Sequence, residues 1–495
     1  MDDTDVHLIG IELGTSGLRV AVYDLDGNII AAKETEIKEQ TTNNWLTSLI
    51  SIFPTELLKN VPSEKKILTV DGTSGSVIFV DKYGEPLFPP LMYFEKAKKE
   101  TVARLYESES IKELINGGSK ISTTSPLPKI MELKQENPQV FQNVYWIIPS
   151  TTWLLYTLLM KKNKTWTDNI QTDWTNSLKL GADITKSRPE WIHSIFEEAK
   201  IASDFLLPQI VAPGTPMGVA ESELAEKLGI SNATICQGMT DGTAGSLTMG
   251  LLHPNDTGIN VGSTTVPKIV VEEKEDLPIH PAIYYHRHPI KGYLAGSATG
   301  AAGTFFRWFI EQIIGLPLEE AIPLAEKYDS PENECLFFPQ GDRSPFDDPQ
   351  MGAAFLNMWP ADSESQQARG NLIRGLIAGM TLTESIYIKI FEELFEPISE
   401  VKILAKSTKW PFWNKLRASI YEKPIRIVQE KTPNIGALMP ALLQLKLYKS
   451  PQDLEKLIRY QEKVDPDPNL ADLYKDKKQR YYGQWQTLKK VYHAT

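Results

Sequence analysis

The chain begins with short apolar runs separated by turns that contain glycine. Residues 7–13 are almost entirely apolar, Gly14-Thr15-Ser16-Gly17 interrupts them, and β-branched residues return over 18–23. A further break at 26–28 precedes the apolar residues 29–31. Apolar runs of this length, bounded by turn residues, are typical of β-strands. This part of the sequence therefore predicts an antiparallel meander of three strands.

The same pattern returns in the second half of the chain. The run 258–261 is followed by Gly262-Ser263-Thr264-Thr265 and then by the β-branched residues 266–271. A strand, a turn of glycine and hydroxyl residues, and a second strand thus occur once in each half. This repetition indicates a duplicated domain whose two hairpins face one another.

The remaining sequence adds one apolar strand at residues 67–70 and several helical patterns. Apolar residues recur at helical spacing, and Gly and Pro are rare late in the longest stretch. The predicted helices cover residues 129–136, 153–160, 221–228, 301–314 and 371–395. The segment after Pro451 is charged and ends in a Lys- and Tyr-rich pattern that predicts a docked surface helix.

The size and charge of the chain narrow the classes of function. A length of 495 residues exceeds what one hydrophobic core supports, so two large domains are expected. The 52 basic residues are outnumbered by 63 acidic ones, and the net charge of -11 disfavours nonspecific attraction to nucleic acid or anionic membranes. The acidic start and the absence of an apolar run of about 20 residues predict a cytoplasmic protein without a membrane span.

The two cysteines, Cys236 and Cys335, stand beside apolar residues. Two cysteines at this separation provide neither a disulfide framework nor a CxxC metal site. We interpret both as buried structural thiols.

The turn Gly14-Thr15-Ser16-Gly17 has the composition of a phosphate-binding loop. Backbone N–H groups in such a turn converge on an anion, and the hydroxyls add uncharged donors. A single turn of this kind also joins hairpins in many proteins. Two of them in one chain favour the phosphate interpretation, because two such loops can hold a polyphosphate from both sides.

Asp241 lies in a Gly-containing turn after the apolar residues 233–236. Its carboxylate can therefore be presented at the end of a strand with little steric cover. An Asp in a turn can also be present only to accept backbone hydrogen bonds.

Several segments resemble the FGGY carbohydrate kinases, which belong to the superfamily of sugar kinases, heat-shock proteins and actin. The resemblance covers most of the chain and follows the family's order and spacing. The runs 71–75, 122–129 and 176–181 together most resemble the ribulose- and xylulose-kinase-like branch of plants and cyanobacteria. The matching segments are residues 11–16, 70–75, 122–129, 172–181, 207–214, 238–242, 261–264 and 339–345.

The resemblance implies an α/β fold of two actin-like (ribonuclease H-like) domains with a nucleotide cleft between them. The expected domains are residues 1–243, with the sugar and phosphate site, and residues 244–495, with the nucleotide site and a C-terminal helical tail. The implied activity is ATP-dependent phosphorylation of a sugar hydroxyl, with Mg²⁺, on a pentulose such as D-ribulose or xylulose. The resemblance also implies a homodimer.

Catalytic and metal roles are carried over from the family to matching positions. Asp241 matches the catalytic base, and it is also expected near the sugar and the metal. Glu12 stands where the family has the Asp that helps to hold hydrated Mg²⁺, and its side chain is longer by one methylene. Magnesium requires nearly octahedral geometry at short distance, so this change can shift the ion or weaken its binding.

The sugar contacts implied by the resemblance are Ser74, Glu95 and Asp173, together with Asp241. The family usually has an aromatic residue, Asn-Asp and a nearby Arg where this chain reads Tyr93-Phe94-Glu95-Lys96. The Asp is therefore replaced by Glu, and the Arg is absent from this segment. Each polar side chain here can equally be a solvated surface residue.

The nucleotide contacts implied by the resemblance come from both halves of the chain. The family's adenine turn is rich in glycine, whereas this chain has Lys406-Ser407-Thr408-Lys409-Trp410 there, and such side chains crowd a flat base or replace its contacts. Arg343, in the run 339–345, is interpreted as a structural brace. The predicted nucleotide contacts are Gly14, Thr15, Ser16, Gly262, Ser263, Thr264, Gly300, Gly303, Lys406, Ser407 and Trp410.

Two alternatives to a sugar kinase follow from these departures. One is a binding or regulatory protein that keeps the fold but has lost phosphoryl transfer, because fold alone does not secure function. The other is an ATPase or a phosphotransferase whose acceptor is not a sugar.

Overall fold

The computed structural model of the chain describes residues 6–109, 111, 121–166, 170–201, 207–274, 276–300, 302–328, 336–338, 344, 348, 352–356, 366–429 and 435–493. The chain forms two compact units. The first contains the described residues within 1–248, 285–293 and 431–458, and the second contains those within 249–284, 294–430 and 459–495.

The strands are, in chain order, β1 (His7–Leu13), β2 (Gly17–Tyr23), β3 (Ile29–Glu36), β4 (Lys66–Gly72), β5 (Val77–Val80), β6 (Trp146–Pro149), β7 (Gln171–Asp173), β8 (Ala182–Asp183), β9 (Glu190–Trp191), β10 (Gln209–Val211), β11 (Pro216–Val219), β12 (Thr234–Cys236), β13 (Met239–Thr240), β14 (Thr257–Val261), β15 (Thr265–Val271), β16 (Tyr284–Arg287), β17 (Tyr293–Gly296), β18 (Leu336–Phe338), β19 (Ala354–Leu356), β20 (Val401–Ala405), β21 (Ile425–Val428) and β22 (Tyr460–Val464).

The helices are α1 (Thr42–Ile52), α2 (Thr55–Leu58), α3 (Lys99–Tyr106), α4 (Pro126–Glu136), α5 (Pro138–Phe141), α6 (Ser150–Leu159), α7 (Trp174–Ser177), α8 (His193–Glu198), α9 (Glu223–Lys227), α10 (Asp241–Thr248), α11 (Gly303–Trp308), α12 (Leu318–Lys327), α13 (Gln366–Leu394), α14 (Pro411–Tyr421), α15 (Ile435–Gln444), α16 (Pro451–Leu454) and α17 (Pro468–Tyr492). Short 3₁₀ turns occur at Ser63–Lys65, Leu178–Leu180, Lys406–Lys409 and Glu455–Leu457, and Phe309–Ile314 is a π-helix.

The first unit is organised around one seven-stranded sheet. Its strand order is β11-β12-β4-β1-β2-β3, with β13 also paired to β4. The hairpin β1-β2 is antiparallel, whereas β1 and β4 run parallel, as do β4 and β13. The central strand β4 is buried along its whole length, while β3 at the edge is mostly exposed. The predicted three-strand meander is thus confirmed, and its polar third strand forms the edge of the sheet.

Two apolar clusters build the core of the first unit. One surrounds the central sheet and includes Ile9, Val70 and Trp153, and the other lies beside the β5-β6 hairpin and includes Phe79 and Phe196. Cys236 is free and buried within β12, as expected of a structural thiol. Cys335 lies outside the described residues.

The segment 435–458 packs with the first unit, although most of its sequence neighbours belong to the second. Helix α15 lies against α10, and the N–H of Gly436 donates to Oγ1 of Thr248 at 3.2 Å. A Cβ atom on residue 436 would lie 2.0 Å from the carbonyl oxygen of Ala244. The two helices can therefore approach this closely only because residue 436 is glycine.

Gly436→Ala is expected to lower the free energy of unfolding by about 3 kcal/mol, because α15 must shift away from α10. Urea denaturation followed by circular dichroism measures this loss. Gly483→Ala is the matched control. Gly483 is exposed in the middle of α17, and a Cβ atom at this position would have no atom of another described residue within 4 Å beyond its own helix turn. The control is expected to gain about 0.5–1 kcal/mol from helix propensity. Equal stability of Gly436→Ala and the wild type would contradict this packing.

The second unit repeats the strand arrangement of the first. The second seven-stranded sheet has the order β16-β17-β15-β14-β20-β21-β22, and most of its strands belong to the second unit. The hairpin β14-β15 is antiparallel, and β14 pairs in parallel with β20, as β1 pairs with β2 and β4. The prediction of the same hairpin in each half of the chain is therefore confirmed.

Two long helices support the sheet of the second unit. Most residues of α13 are buried, which explains its long apolar pattern. Helix α17 begins at the N-cap Asp467 and buries Tyr474, Tyr481 and Trp485 on one face. The hydroxyl of Tyr481 donates to the carbonyl of Phe337 at 2.9 Å. The predicted docking of the C-terminal helix is confirmed.

The other predicted helices also occur, with shifted ends. The pattern over 301–314 gives α11 followed by the π-helix Phe309–Ile314, rather than one continuous α-helix. None of the helices within the described residues has the length and apolarity needed to cross a membrane.

Candidate active site

A row of charged residues crosses the sheet of the first unit. Glu34 on β3 is paired with Arg19 on β2, Arg19 with Glu12 on β1, and Glu12 with Asp71 on β4. Residues paired across neighbouring strands point to the same face of a sheet. The row therefore places one cationic side chain and three carboxylates on one face of the sheet.

Arg19 forms ion pairs with two of these carboxylates. Its Nη1 lies 2.6 Å from Oε1 of Glu12, and its Nε lies 3.0 Å from Oε2 of Glu34. The second oxygen of Glu12, Oε2, is buried and has no hydrogen-bond partner within the described part of the chain. Glu12 thus keeps one oxygen for a ligand.

Asp71 has no such partner. Its side chain is 0% exposed, and neither of its carboxylate oxygens is hydrogen-bonded to any described residue. Burial raises the pKa of the Asp71 carboxyl well above its ordinary value, and the nearby charges of Glu12 and Asp241 raise it further. Burial also raises the pKa of Glu12, and the ion pair with Arg19 opposes this effect. The register of β1, β4 and β13 places Glu12, Asp71 and Asp241 at the same end of three neighbouring strands.

Asp241 is the first residue of α10, directly after β13. Because Met239 is paired with Asp71, Asp241 follows two residues beyond the charged row. Its Oδ1 accepts a hydrogen bond from the N–H of Gly242 at 2.6 Å, and the residue is partly exposed. The predicted presentation of this carboxylate at a strand end is confirmed.

The carboxylate of Asp173 is occupied by the protein itself. Its Oδ1 accepts from the N–H groups of Thr175 and Asn176, at 2.8 and 3.0 Å, and Oδ2 accepts from Nδ2 of Asn176 at 2.7 Å. Oγ1 of Thr175 in turn accepts from the N–H of Thr240 at 2.9 Å. Asp173 is 0% exposed, so these contacts favour a role in positioning the strand before Asp241 rather than the predicted sugar contact.

The turn between β1 and β2 is exposed at Thr15 and Ser16. Nε2 of Gln40 donates to the carbonyl of Thr15 at 2.6 Å, and the N–H of Ile37 donates to the carbonyl of Ser16 at 3.0 Å. These two hydrogen bonds hold the carbonyls of the turn, while residues Thr15 and Ser16 remain exposed. Oγ1 of Thr15 donates to the hydroxyl of Tyr93 at 3.0 Å, which links this turn to the predicted sugar segment.

The predicted sugar contacts Ser74 and Glu95 lie near two lysines. Nζ of Lys179 donates to the carbonyl of Ser74 at 3.4 Å. Exposed Glu95 accepts from the N–H of Met92 at 2.9 Å, and its charge acts on buried Lys129. Burial lowers the pKa of Lys129 to about 8. Lysines from α4 and from the 178–180 turn thus stand near the segment in which the family's Arg is missing.

In the second unit, the turn of Gly262, Ser263 and Thr264 is exposed between β14 and β15. The N–H of Gly303 donates to the carbonyl of Gly262 at 3.0 Å, and a Cβ at residue 303 would lie 2.5 Å from that oxygen. The start of α11 therefore lies directly against the turn, with Gly300 three residues before it. The structure brings these five predicted residues together.

The remaining predicted nucleotide contacts lie on an ordered 3₁₀ turn of the same unit. Oγ of Ser407 accepts from Nη1 of Arg417 at 3.0 Å, and the N–H of Trp410 donates to the carbonyl of Ser407 at 3.1 Å. Lys409 forms an ion pair with Glu319 at 2.9 Å, and Lys406 is exposed. The turn is therefore held by side-chain contacts instead of glycines. Arg343 and most of the run 339–345 lie outside the described residues.

The carboxylates of the first unit have the donor set of a partial magnesium site. Among the described residues, no group of three or more His, Cys, Asp or Glu side chains is arranged to hold a metal ion alone. Magnesium in phosphate-handling sites is held by one or two carboxylates, several waters and the phosphates. The buried oxygens of Glu12 and Asp71 that have no partner fit such a site.

The sequence interpretation did not assign a role to Asp71, Arg19, Lys129 or Lys179. Asp71 had a detectable signal in the sequence, because it directly follows an apolar run and precedes Gly-Thr. Lys129 and Lys179 had no such signal in the sequence, since both lie far along the chain from Glu95.

Comparisons with known proteins indicate the family of the chain. A model of the N-terminal domain of the FGGY family of carbohydrate kinases matches residues 7–248. A xylulose kinase of Staphylococcus epidermidis is 24% identical over 502 residues, covering 98% of this chain and 96% of that protein.

Solved structures match over almost the whole chain. A ligand-bound xylulose kinase from Lactobacillus acidophilus has a TM-score of 0.85 at 18% identity and covers 99% of both chains. Plasmodium falciparum glycerol kinase with ADP has a TM-score of 0.82 at 18% identity and covers 98% of both chains. These likenesses confirm the predicted α/β fold of two actin-like domains.

Proposed function

The chain belongs to the FGGY family of carbohydrate kinases, and from this premise we propose that it transfers the γ-phosphoryl group of ATP to a hydroxyl of a pentulose, with D-xylulose as the first candidate and D-ribulose as the second. One observation supports this proposal above the others. Asp241 and the two buried carboxylates of Glu12 and Asp71 lie at the ends of adjacent parallel strands, in the unit that carries the turn exposed at Thr15 and Ser16.

Asp241 is the proposed general base. Its position at the start of α10 leaves the carboxylate partly exposed, and the N–H of Gly242 orients it. Phosphoryl transfer to an alcohol requires a group within hydrogen-bond reach to accept the hydroxyl proton. The chain from Asp173 through Thr175 to Thr240 holds the preceding strand and so positions Asp241.

Glu12 and Asp241 are proposed to contact Mg²⁺, either directly or through water. When bound, Mg²⁺ neutralises phosphate charge and orients the transferred group. Thr15 and Ser16 are exposed, and their amide and hydroxyl groups are the proposed uncharged donors for phosphate oxygens.

In the second unit, we propose that Gly262, Ser263 and Thr264 contact phosphate together with Gly300 and Gly303. The 3₁₀ turn that contains Lys406, Ser407 and Trp410 is the proposed contact for the nucleoside. Its packing through Arg417 and Glu319 suggests side-chain recognition of the base in place of the family's glycine contacts. A functional boundary at 243/244, a homodimer and a cytoplasmic location remain predictions.

A sugar panel tests the proposed function. The purified full chain, with ATP and Mg²⁺, is incubated with D-xylulose, D-ribulose, glycerol, gluconate or no sugar, and ADP release and the phosphorylated product are measured. We expect the highest kcat/KM for a pentulose. ADP release that no sugar accelerates would support an ATPase and contradict the proposal, and so would stronger phosphorylation of glycerol or gluconate.

Glu95→Gln is expected to raise the KM for the pentulose about tenfold with little change in kcat. A hydrogen bond from a sugar hydroxyl to a charged acceptor contributes about 1.5–3 kcal/mol, and the neutral amide is a weaker acceptor. Initial rates over a range of pentulose concentrations measure the change. Glu85→Gln is the control, because Glu85 is exposed on the nearby 81–85 turn. An unchanged KM for Glu95→Gln would exclude Glu95 as a sugar contact.

A further inference from the structure

We propose that Asp71 is the principal carboxylate of the divalent-cation site beside Asp241, and that Glu12 is a secondary ligand. This inference rests on the proposed function, because it takes the cation to be the one that accompanies ATP. It differs from the transfer of family roles, which places the metal carboxylate on β1. In this chain the role has moved to the neighbouring strand β4.

The first step of the argument concerns Glu12. Its Oε1 is 2.6 Å from Nη1 of Arg19, and the two residues are directly paired between β1 and β2. An ion pair of this geometry already neutralises much of the carboxylate charge. The extra methylene of Glu12 allows this reach towards Arg19, and only Oε2 is left for another ligand. Glu12 therefore attracts a cation less strongly than a carboxylate without a cationic partner.

The second step concerns Asp71. It lies opposite Glu12 in the register of β1 and β4, so the two Cα atoms are about 5 Å apart on the same face of the sheet. Both of its oxygens are buried without a partner among the described residues. Burial of an unpaired carboxylate is strongly unfavourable unless a cation or hydrogen-bond donors compensate it. No other described residue donates to Asp71, so a bound cation can supply the missing compensation.

The third step identifies the class of that ligand. A sugar hydroxyl could donate one hydrogen bond to Asp71, but it would leave the repulsion among Glu12, Asp71 and Asp241 unchanged. A divalent cation relieves this repulsion and satisfies oxygen atoms at the same time. The positive charge of Arg19 acts on Asp71, but Arg19 is already bonded to Glu12 and Glu34. The geometry therefore favours a divalent cation.

Cation binding to the full chain without nucleotide tests the proposal, because it does not depend on catalysis. Mn²⁺ replaces Mg²⁺ as the probe, and free Mn²⁺ is measured by electron paramagnetic resonance during titration. Asp71→Asn is expected to weaken Mn²⁺ binding by at least about tenfold, and Glu12→Gln by less than about threefold. Glu34→Gln, the control from the same charged row, is expected to bind as the wild type does.

Thermal unfolding provides the second measurement. Mg²⁺ is expected to raise the Tm of the wild type and of Glu12→Gln, but not that of Asp71→Asn, since a ligand stabilises only the state that binds it. In EDTA, Asp71→Asn is expected to be at least as stable as the wild type, because one buried like charge is removed. This comparison also shows whether the variant folds.

Opposite results for the two carboxylates would overturn the proposal. If Glu12→Gln loses Mn²⁺ binding tenfold or more, the principal ligand is on β1, and this holds even where Asp71→Asn does not fold. Wild-type affinity in a folded Asp71→Asn variant would have the same meaning. The sugar panel tests the proposed function independently of this site. If the wild type phosphorylates no sugar, the proposed function is contradicted. If Asp71→Asn nevertheless weakens Mn²⁺ binding, the cation site is still supported.

Discussion

Asp241→Asn is expected to lower kcat for pentulose phosphorylation on the order of 10³-fold, with a KM close to that of the wild type. The amide keeps the size of the side chain and its contact with the N–H of Gly242, but it cannot accept the hydroxyl proton. Steady-state release of ADP, measured with the sugar that the panel selects, gives both constants. Removal of one general base accounts for a loss of this size.

Asp183→Asn is the matched control for this variant. Asp183 belongs to the same unit and is partly exposed, and its Oδ1 accepts from the N–H of Thr185 at 2.9 Å, which is also a local turn contact. It lies on β8, outside the sheet that carries Asp241. We expect wild-type kinetics from this control. An Asp241→Asn enzyme that phosphorylates every accepted sugar at the wild-type rate would refute the proposed mechanism.

Arg417→Leu is expected to lower the free energy of unfolding of the second unit by about 3–5 kcal/mol. The side chains of Arg417 and Glu384 are 0% and 1% exposed, and Nε of Arg417 lies 3.1 Å from Oε2 of Glu384. The hydroxyl of Tyr421 donates to the same carboxylate. Loss of the guanidinium leaves a buried carboxylate without its cation, which is far more costly than loss of an exposed ion pair. Denaturant unfolding followed by tryptophan fluorescence measures the change.

Arg426→Leu is the matched control, because Arg426 also combines a carboxylate partner with an aromatic ring. Its Nε lies 2.7 Å from Glu400, and its guanidinium carbon lies 5.1 Å from the ring of Tyr460. The Arg426 side chain is 39% exposed, so solvent screens the pair and its loss is expected to cost less than about 1 kcal/mol. Equal losses for the two variants would contradict the argument from burial.

Arg417→Leu has a second expected consequence, since Nη1 of Arg417 donates to Oγ of Ser407. The 3₁₀ turn proposed to contact the nucleoside then loses its support from α14. We expect the KM for ATP to rise at temperatures where the variant remains folded.

Local sequence was sufficient to predict the features that depend on few neighbouring residues. The two hairpins follow from apolar runs and Gly-containing turns, and the structure has both. Asp241 directly follows a short strand and begins a helix, so its presentation depends mainly on its immediate neighbours. Long helices such as α13 were predictable because an apolar period over many turns averages out local ambiguity.

Contacts between distant segments required the tertiary structure. No sequence pattern around residues 435–458 indicates that this segment packs on α10, since the contact depends on the space left beside Ala244 by Gly436. Likewise, Lys129 lies near Glu95 only because α4 packs beside the 92–95 segment.

The charged row shows most clearly which features the sequence determines and which depend on the tertiary structure. The sequence by itself determined that Glu12 lies near the end of one apolar run and Asp71 at the end of another, and that Glu12 differs from the family's Asp by one methylene. Only the tertiary structure decided that Arg19 lies opposite Glu12 and that Asp71 lies beside them without a hydrogen-bond partner among the described residues. The physical reason is that pairing between strands depends on hydrogen bonds and packing across the whole sheet. The distribution of charge in this site is therefore a property of the fold rather than of any single motif.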